Sequence, residues 1–134
     1  MRKDWLIRAL FAAAAVYDGV LGVVFLFAGR QVFERFGVTE PNHFGYVQFP
    51  AALLVVFSLM FAAVAWNPRR NRNLILFGML LKVSYCGVVL YYWLGAGVLG
   101  MWKPFCVADA LFLAGFAWAW LSLRAKESKD VIEF

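Results

Sequence analysis

Residues 74–95 read LILFGMLLKVSYCGVVLYYWLG. An apolar run of roughly 20 residues is the length at which an α-helix crosses the hydrocarbon of a bilayer. A transmembrane β-strand is excluded because apolar and polar residues do not alternate along the run. The stretch therefore predicts a membrane-spanning helix, and Lys82 is the single charged residue within it.

Three further stretches of similar length and composition flank this one, at about 8–29, 46–66 and 104–123. The chain has 134 residues and is 64% hydrophobic, which is more apolar than domains that fold in water. A domain this small buries too little of its surface to hide so many apolar side chains. We therefore predict an all-α polytopic membrane protein: one domain over 1–134 with four transmembrane helices in an antiparallel bundle, a short tail at 124–134, and the lipid bilayer as its partner.

Prolines mark the predicted helix ends. Pro68 is predicted to end the second helix, and Pro104 lies in the first turn of the fourth, where its missing N–H is harmless. Pro50 is predicted to occupy the first turn of the second helix, or to kink that helix if it starts earlier, near Asn42.

The basic residues predict the orientation. Nine lie at the N-terminal end, in the second loop and in the C-terminal tail, and three lie in the first and third loops. Basic residues concentrate on the cytoplasmic side, so both termini are predicted to be cytoplasmic. The net charge of +5 therefore reflects topology, and we predict no nucleic-acid binding. The nine are Arg2, Lys3, Arg8, Arg69, Arg70, Arg72, Arg124, Lys126 and Lys129, and the three are Arg30, Arg35 and Lys103.

The two halves of the chain share a pattern. Two helical hairpins related as a parallel repeat would explain it, and so would the restricted composition of membrane helices. Both explanations stay open. A shift of 68 residues aligns Tyr17, Gly19, Val20, Leu26, Ala28 and Gly29 with Tyr85, Gly87, Val88, Leu94, Ala96 and Gly97, and a shift of 54 aligns Pro50, Ala63, Ala65 and Trp66 with Pro104, Ala117, Ala119 and Trp120.

Three ionisable residues lie within the predicted spans: Asp18, Lys82 and Asp109. A charge in hydrocarbon costs at least ~2.5 kcal/mol, so each of them needs a partner or a function. With a rise of 1.5 Å per residue, Asp18 and Lys82 lie at similar depths, whereas Asp109 lies nearer the outer edge and within reach of water. We predict an Asp18–Lys82 pair in the core with Tyr85 near it, and an Asp109 that depends less on Lys82.

This polar centre has two interpretations. An ion pair can be structural and fix the register of the helices, or it can bind a substrate or relay protons. The protein is accordingly predicted to bind or transport a small lipophilic or weakly charged molecule, or to act as an accessory subunit of a membrane complex. Aromatic and glycine-rich helix surfaces also indicate a homo-oligomer.

Two cysteines, Cys86 and Cys106, are too far apart in sequence for a redox or zinc motif. Their predicted depths differ by roughly 10 Å, which predicts no disulfide between them.

Most of the chain resembles small bacterial four-helix membrane proteins. The strings that carry the resemblance are NHFGYVQFPAALLVVFSLMF at 42–61, NRNLILFGMLLKVSYCGVVLYYW at 71–93 and MWKPF at 101–105. The resemblance implies the fold and a bacterial inner (plasma) membrane location, but no activity.

A second resemblance is to the styrene oxide isomerase and hydroxylaminobenzene mutase family. It rests on the string HFG at 43–45, where a second helix begins, and on Gly78 with Tyr92 fourteen residues later in an aromatic cluster. The resemblance implies a haem-dependent intramolecular isomerase that acts on an apolar substrate.

The same resemblance implies roles for two residues. His43 would ligate the iron of haem b, and Tyr92 would orient the substrate oxygen. The chain departs from the family at Phe49, where an Asn is expected, and at Ser84, where an acidic residue is expected. A histidine beside a membrane surface is also commonly just solvated, so His43 has two interpretations.

Overall fold

The protein is described by a computed structural model that covers residues 2–98 and 100–132, with side chains at 4–98 and 100–124. It forms four helices: α1 (Arg2–Phe36), α2 (Gly45–Trp66), α3 (Arg72–Leu94) and α4 (Trp102–Ile132). This part of the chain contains no strand, so the all-α prediction is confirmed. The tail predicted at 124–134 continues α4 as far as Ile132. The side chains of Arg2, Lys3, Lys126 and Lys129, used above to predict orientation, lie outside the described residues.

All four helices are long and apolar enough to span a bilayer. Within the most apolar part of each span, only 22–28% of the residues are buried inside the protein. The rest of this surface carries Val, Leu, Phe and Trp side chains that water solvates poorly. Lipid is the environment that such helices require, because each satisfies its own backbone hydrogen bonds. The chain is a four-helix membrane protein.

The predicted helix ends are confirmed at two of the three prolines. Pro68 follows the C-cap residue Asn67, whose N–H donates to the carbonyl of Ala63. Pro104 lies in the first turn of α4. Pro50 is the exception: α2 begins at Gly45, which places Pro50 in the second turn. Its missing N–H deprives the Tyr46 carbonyl of the donor four residues on.

Helix α1 is longer than predicted because it continues past the apolar stretch to Phe36. The backbone breaks from helical geometry at Ala28, with φ −127° and ψ 21°. At the next residue, Gly29, a Cβ atom would lie 2.8 Å from the Phe44 ring. Beyond the break, Phe33 packs edge-on against Phe44.

Helix α1 packs along α2, and α3 packs along α4, while α2–α3 and α1–α4 approach each other over shorter stretches. Within the described residues, neither α1 with α3 nor α2 with α4 comes close along the backbone. The helices thus occupy the corners of a square, with α1 and α3 on one diagonal. The two helices of each hairpin are closely packed. That the two hairpins form a parallel repeat stays a prediction.

We call the half of the bundle with the N-terminus and the α2–α3 connection the base half, and the half with the other two connections the tip half. The base half is filled by three rings. Phe11 stacks on Phe116 with centroids 4.6 Å apart, and Phe61 lies 5.1 Å from Phe116. Gly78 lets Phe61 approach, since a Cβ there would lie 2.6 Å from the Phe61 ring.

The connection between α3 and α4 folds back into the bundle. Val98, near its middle, packs against the cluster formed by Cys86, Val89 and Cys106. Helix α4 begins at Trp102, whose carbonyl accepts a 3.1 Å hydrogen bond from the Tyr85 hydroxyl. Since Tyr85 lies nine residues before the end of α3, or about 13 Å along the helix, α4 begins well below the end of α3.

Candidate functional site

The predicted pair between Asp18 and Lys82 is present. Lys82 Nζ lies 3.0 Å from both Asp18 Oδ1 and Asp18 Oδ2. Asp18 is 1% exposed and Lys82 0%, so both side chains are almost completely buried. The small residues Ala14 and Gly22 share the inward stripe of α1 with Asp18, as predicted, and both are buried.

Asp109 also binds Lys82, and here the prediction is wrong. Lys82 Nζ lies 2.9 Å from Asp109 Oδ1, and Asp109 is only 7% exposed. The prediction placed Asp109 near the membrane surface because it assumed that the end of α3 and the start of α4 lie at the same depth. Helix α4 begins deeper, and this brings its second turn down to the lysine. The three residues form one cluster, which we call the triad.

The triad connects three helices across the diagonal of the bundle. Asp18 comes from α1, Lys82 from α3 and Asp109 from α4. The long lysine side chain bridges α1 and α3, whose backbones stay apart. Three aromatic rings surround the ammonium group at 5.4–5.7 Å from their centroids, where the ring faces attract a cation: they belong to Tyr17, Phe61 and Phe112.

A cavity of about 490 Å³ lies in the tip half of the bundle, and Asp18 and Asp109 of the triad form part of its wall. Every helix contributes to the lining, and the wall is otherwise almost entirely apolar and aromatic. Three lining residues of α2, namely Tyr46, Pro50 and Leu53, are exposed on the surface of the bundle. The cavity therefore opens along α2, towards lipid. The remaining lining residues are Tyr17, Leu21, Phe25, Phe33, Val47, Ala51, Leu54, Phe57, Leu81, Tyr85, Trp102 and Phe105.

Two tyrosines of the cavity wall stand beside the triad. Tyr85 is near it, as predicted, and its hydroxyl donates to the Trp102 carbonyl. Tyr17 was missed by the sequence analysis. Its hydroxyl is the one side-chain polar atom, among the described residues, that is buried without a hydrogen-bond partner. The proposed alignment of Tyr17 with Tyr85 under a shift of 68 residues was the signal that pointed to it.

The depth predicted for the two cysteines is wrong. Cys86 Sγ lies 3.5 Å from the carbonyl oxygen of Cys106, and both residues are buried. The deep start of α4 lowers Cys106 in the same way as Asp109. Both cysteines are free thiols, and they pack one helical turn from Lys82 and Asp109 on the α3–α4 interface.

His43 is exposed in the connection before α2 and is separate from the triad. Its Nδ1 accepts a 3.0 Å hydrogen bond from the N–H of Gly45, at the start of α2. A histidine that binds a metal through Nε2 normally donates a hydrogen bond from its Nδ1–H. Because Nδ1 of His43 accepts instead, this conformation is not the one typical of a metal-bound histidine, and haem ligation by His43 stays a prediction.

Tyr92 is half-exposed at the end of α3, where its ring packs edge-on against Tyr91. It does not line the cavity. The residue sits far along α3 from Lys82, so the structure does not combine the two sets of predicted site residues. Tyr92 in an isomerase site therefore stays a prediction.

Asp18, Lys82, Tyr85 and Asp109 are brought together at one cavity, whereas His43 and Tyr92 lie on the surface. No group of three His, Cys, Asp or Glu residues suited to a metal ion occurs in the described part of the chain. Comparisons with protein-family models, with curated proteins and with solved structures find no match for this chain. The function is therefore inferred from the chemistry of the site.

Proposed function

We propose that the protein binds a small lipophilic molecule within the membrane, with the body of the molecule in the cavity and its polar end at the triad. The observation that carries this proposal is a mainly apolar cavity that ends on buried charged side chains. Ligand sites typically have volumes of about 300–1,000 Å³, apolar walls and a few convergent polar groups. The cavity of about 490 Å³ has all three properties.

A purely structural triad accounts for less of what is observed. Fixing the helix register requires the charged groups to meet, but it does not require empty space beside them. Protein interiors are otherwise close-packed, and in the base half the rings of Phe11, Phe61 and Phe116 pack against one another. The space in the tip half, directly against two carboxylates, favours a site that is filled by another molecule.

The opening along α2 supports entry from the bilayer. Tyr46, Pro50 and Leu53 are apolar or amphipathic side chains on a membrane-spanning helix. A molecule already dissolved in lipid reaches such an opening without crossing water. If the basic residues set the orientation as predicted, the cavity lies in the half of the bilayer away from the cytoplasm of a bacterial inner membrane. The bound molecule could then be carried across, or presented to a partner in a membrane complex.

Photolabelling tests the proposal directly. The protein is reconstituted in lipid nanodiscs and irradiated with trifluoromethyl-diazirinyl benzyl alcohol, a small lipophilic probe with one polar group. Labelled positions are mapped by peptide mass spectrometry. We expect saturable labelling of cavity residues such as Phe57 and Phe105, suppressed by excess unlabelled benzyl alcohol. Unsaturable labelling spread over the lipid-facing surfaces would contradict the proposal.

Two matched substitutions in α2 provide the control. Leu54 lines the cavity, while Leu59 is 66% exposed on the same helix. Leu54→Trp fills the cavity and is expected to abolish the saturable labelling, whereas Leu59→Trp points to lipid and is expected to retain it. Equal labelling of the two variants would place the bound probe elsewhere.

A haem-dependent isomerase remains an alternative function, which is predicted from the family resemblance alone. The hydrogen bond that His43 accepts from Gly45 does not support it. A Soret band in the purified protein, abolished by His43→Ala, would establish it. A colourless preparation that still binds the probe in the cavity would remove it.

A further inference from the structure

We infer that the lipophilic ligand is an amine in its protonated form, and that Asp109 is the residue that binds its ammonium group. The inference rests on the proposed function, since it names the class of molecule that the cavity accepts. It follows from the hydrogen-bonding capacity of the triad, its charge and the walls around it.

The lysine of the triad has no donor left. An ammonium group carries three N–H donors, and Lys82 Nζ faces three oxygens: both carboxylate oxygens of Asp18 at 3.0 Å and Oδ1 of Asp109 at 2.9 Å. Asp18 is thus bound through both oxygens and Asp109 through one. The second oxygen of Asp109 has acceptor capacity that Lys82 cannot satisfy.

The two carboxylates also differ in access. The Asp18 side chain is 2% exposed and the Asp109 side chain 10%, although both belong to the cavity wall. A molecule in the cavity therefore reaches the Asp109 carboxylate more readily. Asp18 holds the lysine in place, and Asp109 is the group that faces a ligand.

The charges around the triad favour a cation. Helix α1 contributes Asp18 and the neutral Tyr17, α3 contributes Lys82 with Tyr85 and Cys86, and α4 contributes Asp109 with Cys106, while α2 has no charged residue. Among the described side chains, no cation other than Lys82 bonds to either carboxylate. If both carboxylates are ionised beside one ammonium, one negative charge stays uncompensated, which costs free energy in a low-dielectric site. A ligand ammonium compensates it.

The cavity wall offers two further kinds of group that attract an ammonium group. Tyr85, Phe57, Phe105 and Trp102 present aromatic rings to the cavity, and ring faces attract ammonium groups when water is excluded. Lys82 already occupies such surroundings beside the triad. The hydroxyl of Tyr17, buried without a partner, offers an oxygen that can accept a hydrogen bond from an N–H donor.

Three photolabels of the same shape test the inference: trifluoromethyl-diazirinyl benzylamine, benzyl alcohol and benzoic acid. At neutral pH they are a cation, a neutral molecule and an anion. We expect the benzylamine to saturate cavity labelling of the unmodified protein at a concentration about tenfold lower than the benzyl alcohol, the effect of one charge-assisted hydrogen bond. The benzoate should not label the cavity. Empty nanodiscs correct for the different partitioning of the probes into lipid.

Asp109→Asn identifies the residue responsible. The variant should lose the preference for the amine and keep the labelling by the alcohol, which also shows that its cavity is intact. If the amine and the alcohol saturate cavity labelling of the unmodified protein at the same concentration, the inference is overturned. The proposed function would still stand, because the cavity would then bind lipophilic molecules regardless of their charge. Cavity labelling by none of the probes would overturn both.

Discussion

The base half and the tip half of the bundle are built from the same kinds of residue, yet the cavity beside the triad lies in the tip half. In the base half, the centroids of the Phe11 and Phe116 rings are 4.6 Å apart, and both side chains are fully buried. In the tip half, Phe25 lies 6.2 Å from Trp102 and 6.4 Å from Phe105, around a cavity. Aromatic composition therefore does not determine packing.

Three irregularities of the backbone lie in the tip half. Helix α1 departs from helical geometry at Ala28, Pro50 interrupts the hydrogen bonding of α2, and the connection around Val98 folds inward before α4 begins. The base half has no such interruption in the described residues. The triad lies where the two halves meet. A substitution that changes its net charge is therefore expected to have the largest effect on stability.

The largest effect is expected from Lys82→Met. The substitution leaves two buried carboxylates without their cation, which costs about 3–5 kcal/mol of folding free energy. Thermal unfolding of the purified protein in detergent measures the loss. The control is Lys103→Met, because Lys103 lies near the surface over the Trp93 ring and should change stability little. A Lys82→Met variant as stable as the unmodified protein would show that the triad is not ionised.

Phenylalanine truncations compare the two halves directly. Phe116→Ala removes a fully buried ring from the stacked base half and should destabilise the protein by about 3–5 kcal/mol. Phe105→Ala removes a ring that already borders empty space, so fewer contacts are lost and the cost should be about half as large. Unfolding of the two variants under identical detergent conditions provides the measurement. Equal losses would mean that the tip half is as tightly packed as the base half.

The smallest effect is expected from alanine at two glycines of α3. In Gly78→Ala the new Cβ would meet the Phe61 ring at 2.6 Å, so overpacking should cost about 1–3 kcal/mol. In Gly87→Ala the new Cβ meets nothing within 4 Å, and the better helix propensity of alanine should stabilise the protein by up to about 1 kcal/mol. Opposite signs for two identical substitutions on one helix would support the described packing. A neutral Gly78→Ala would contradict the close approach of Phe61.

Part of the candidate site was predictable and part was not. The Asp18–Lys82 pair followed from similar distances along helices that start at the same side of a membrane. Asp109 and Cys106 were misplaced because the same counting assumed a flat outer boundary for α3 and α4. The alignment with Tyr85 pointed to Tyr17, but not to its unpartnered hydroxyl, since whether a hydroxyl has a partner depends on every neighbour in the folded chain.

The amino-acid sequence by itself determined four membrane-spanning helices, their approximate ends and the need for a charge partner at Lys82. The length of an apolar run and the cost of burying a charge in hydrocarbon can both be read along the chain, without knowing how the helices pack. Only the tertiary structure decided that three charged residues meet, that Asp109 has an unused oxygen and that a cavity lies beside it. These properties depend on the depth at which α4 begins and on where the helices stop touching. That depth follows from contacts between α3 and α4, which residues distant in sequence make together.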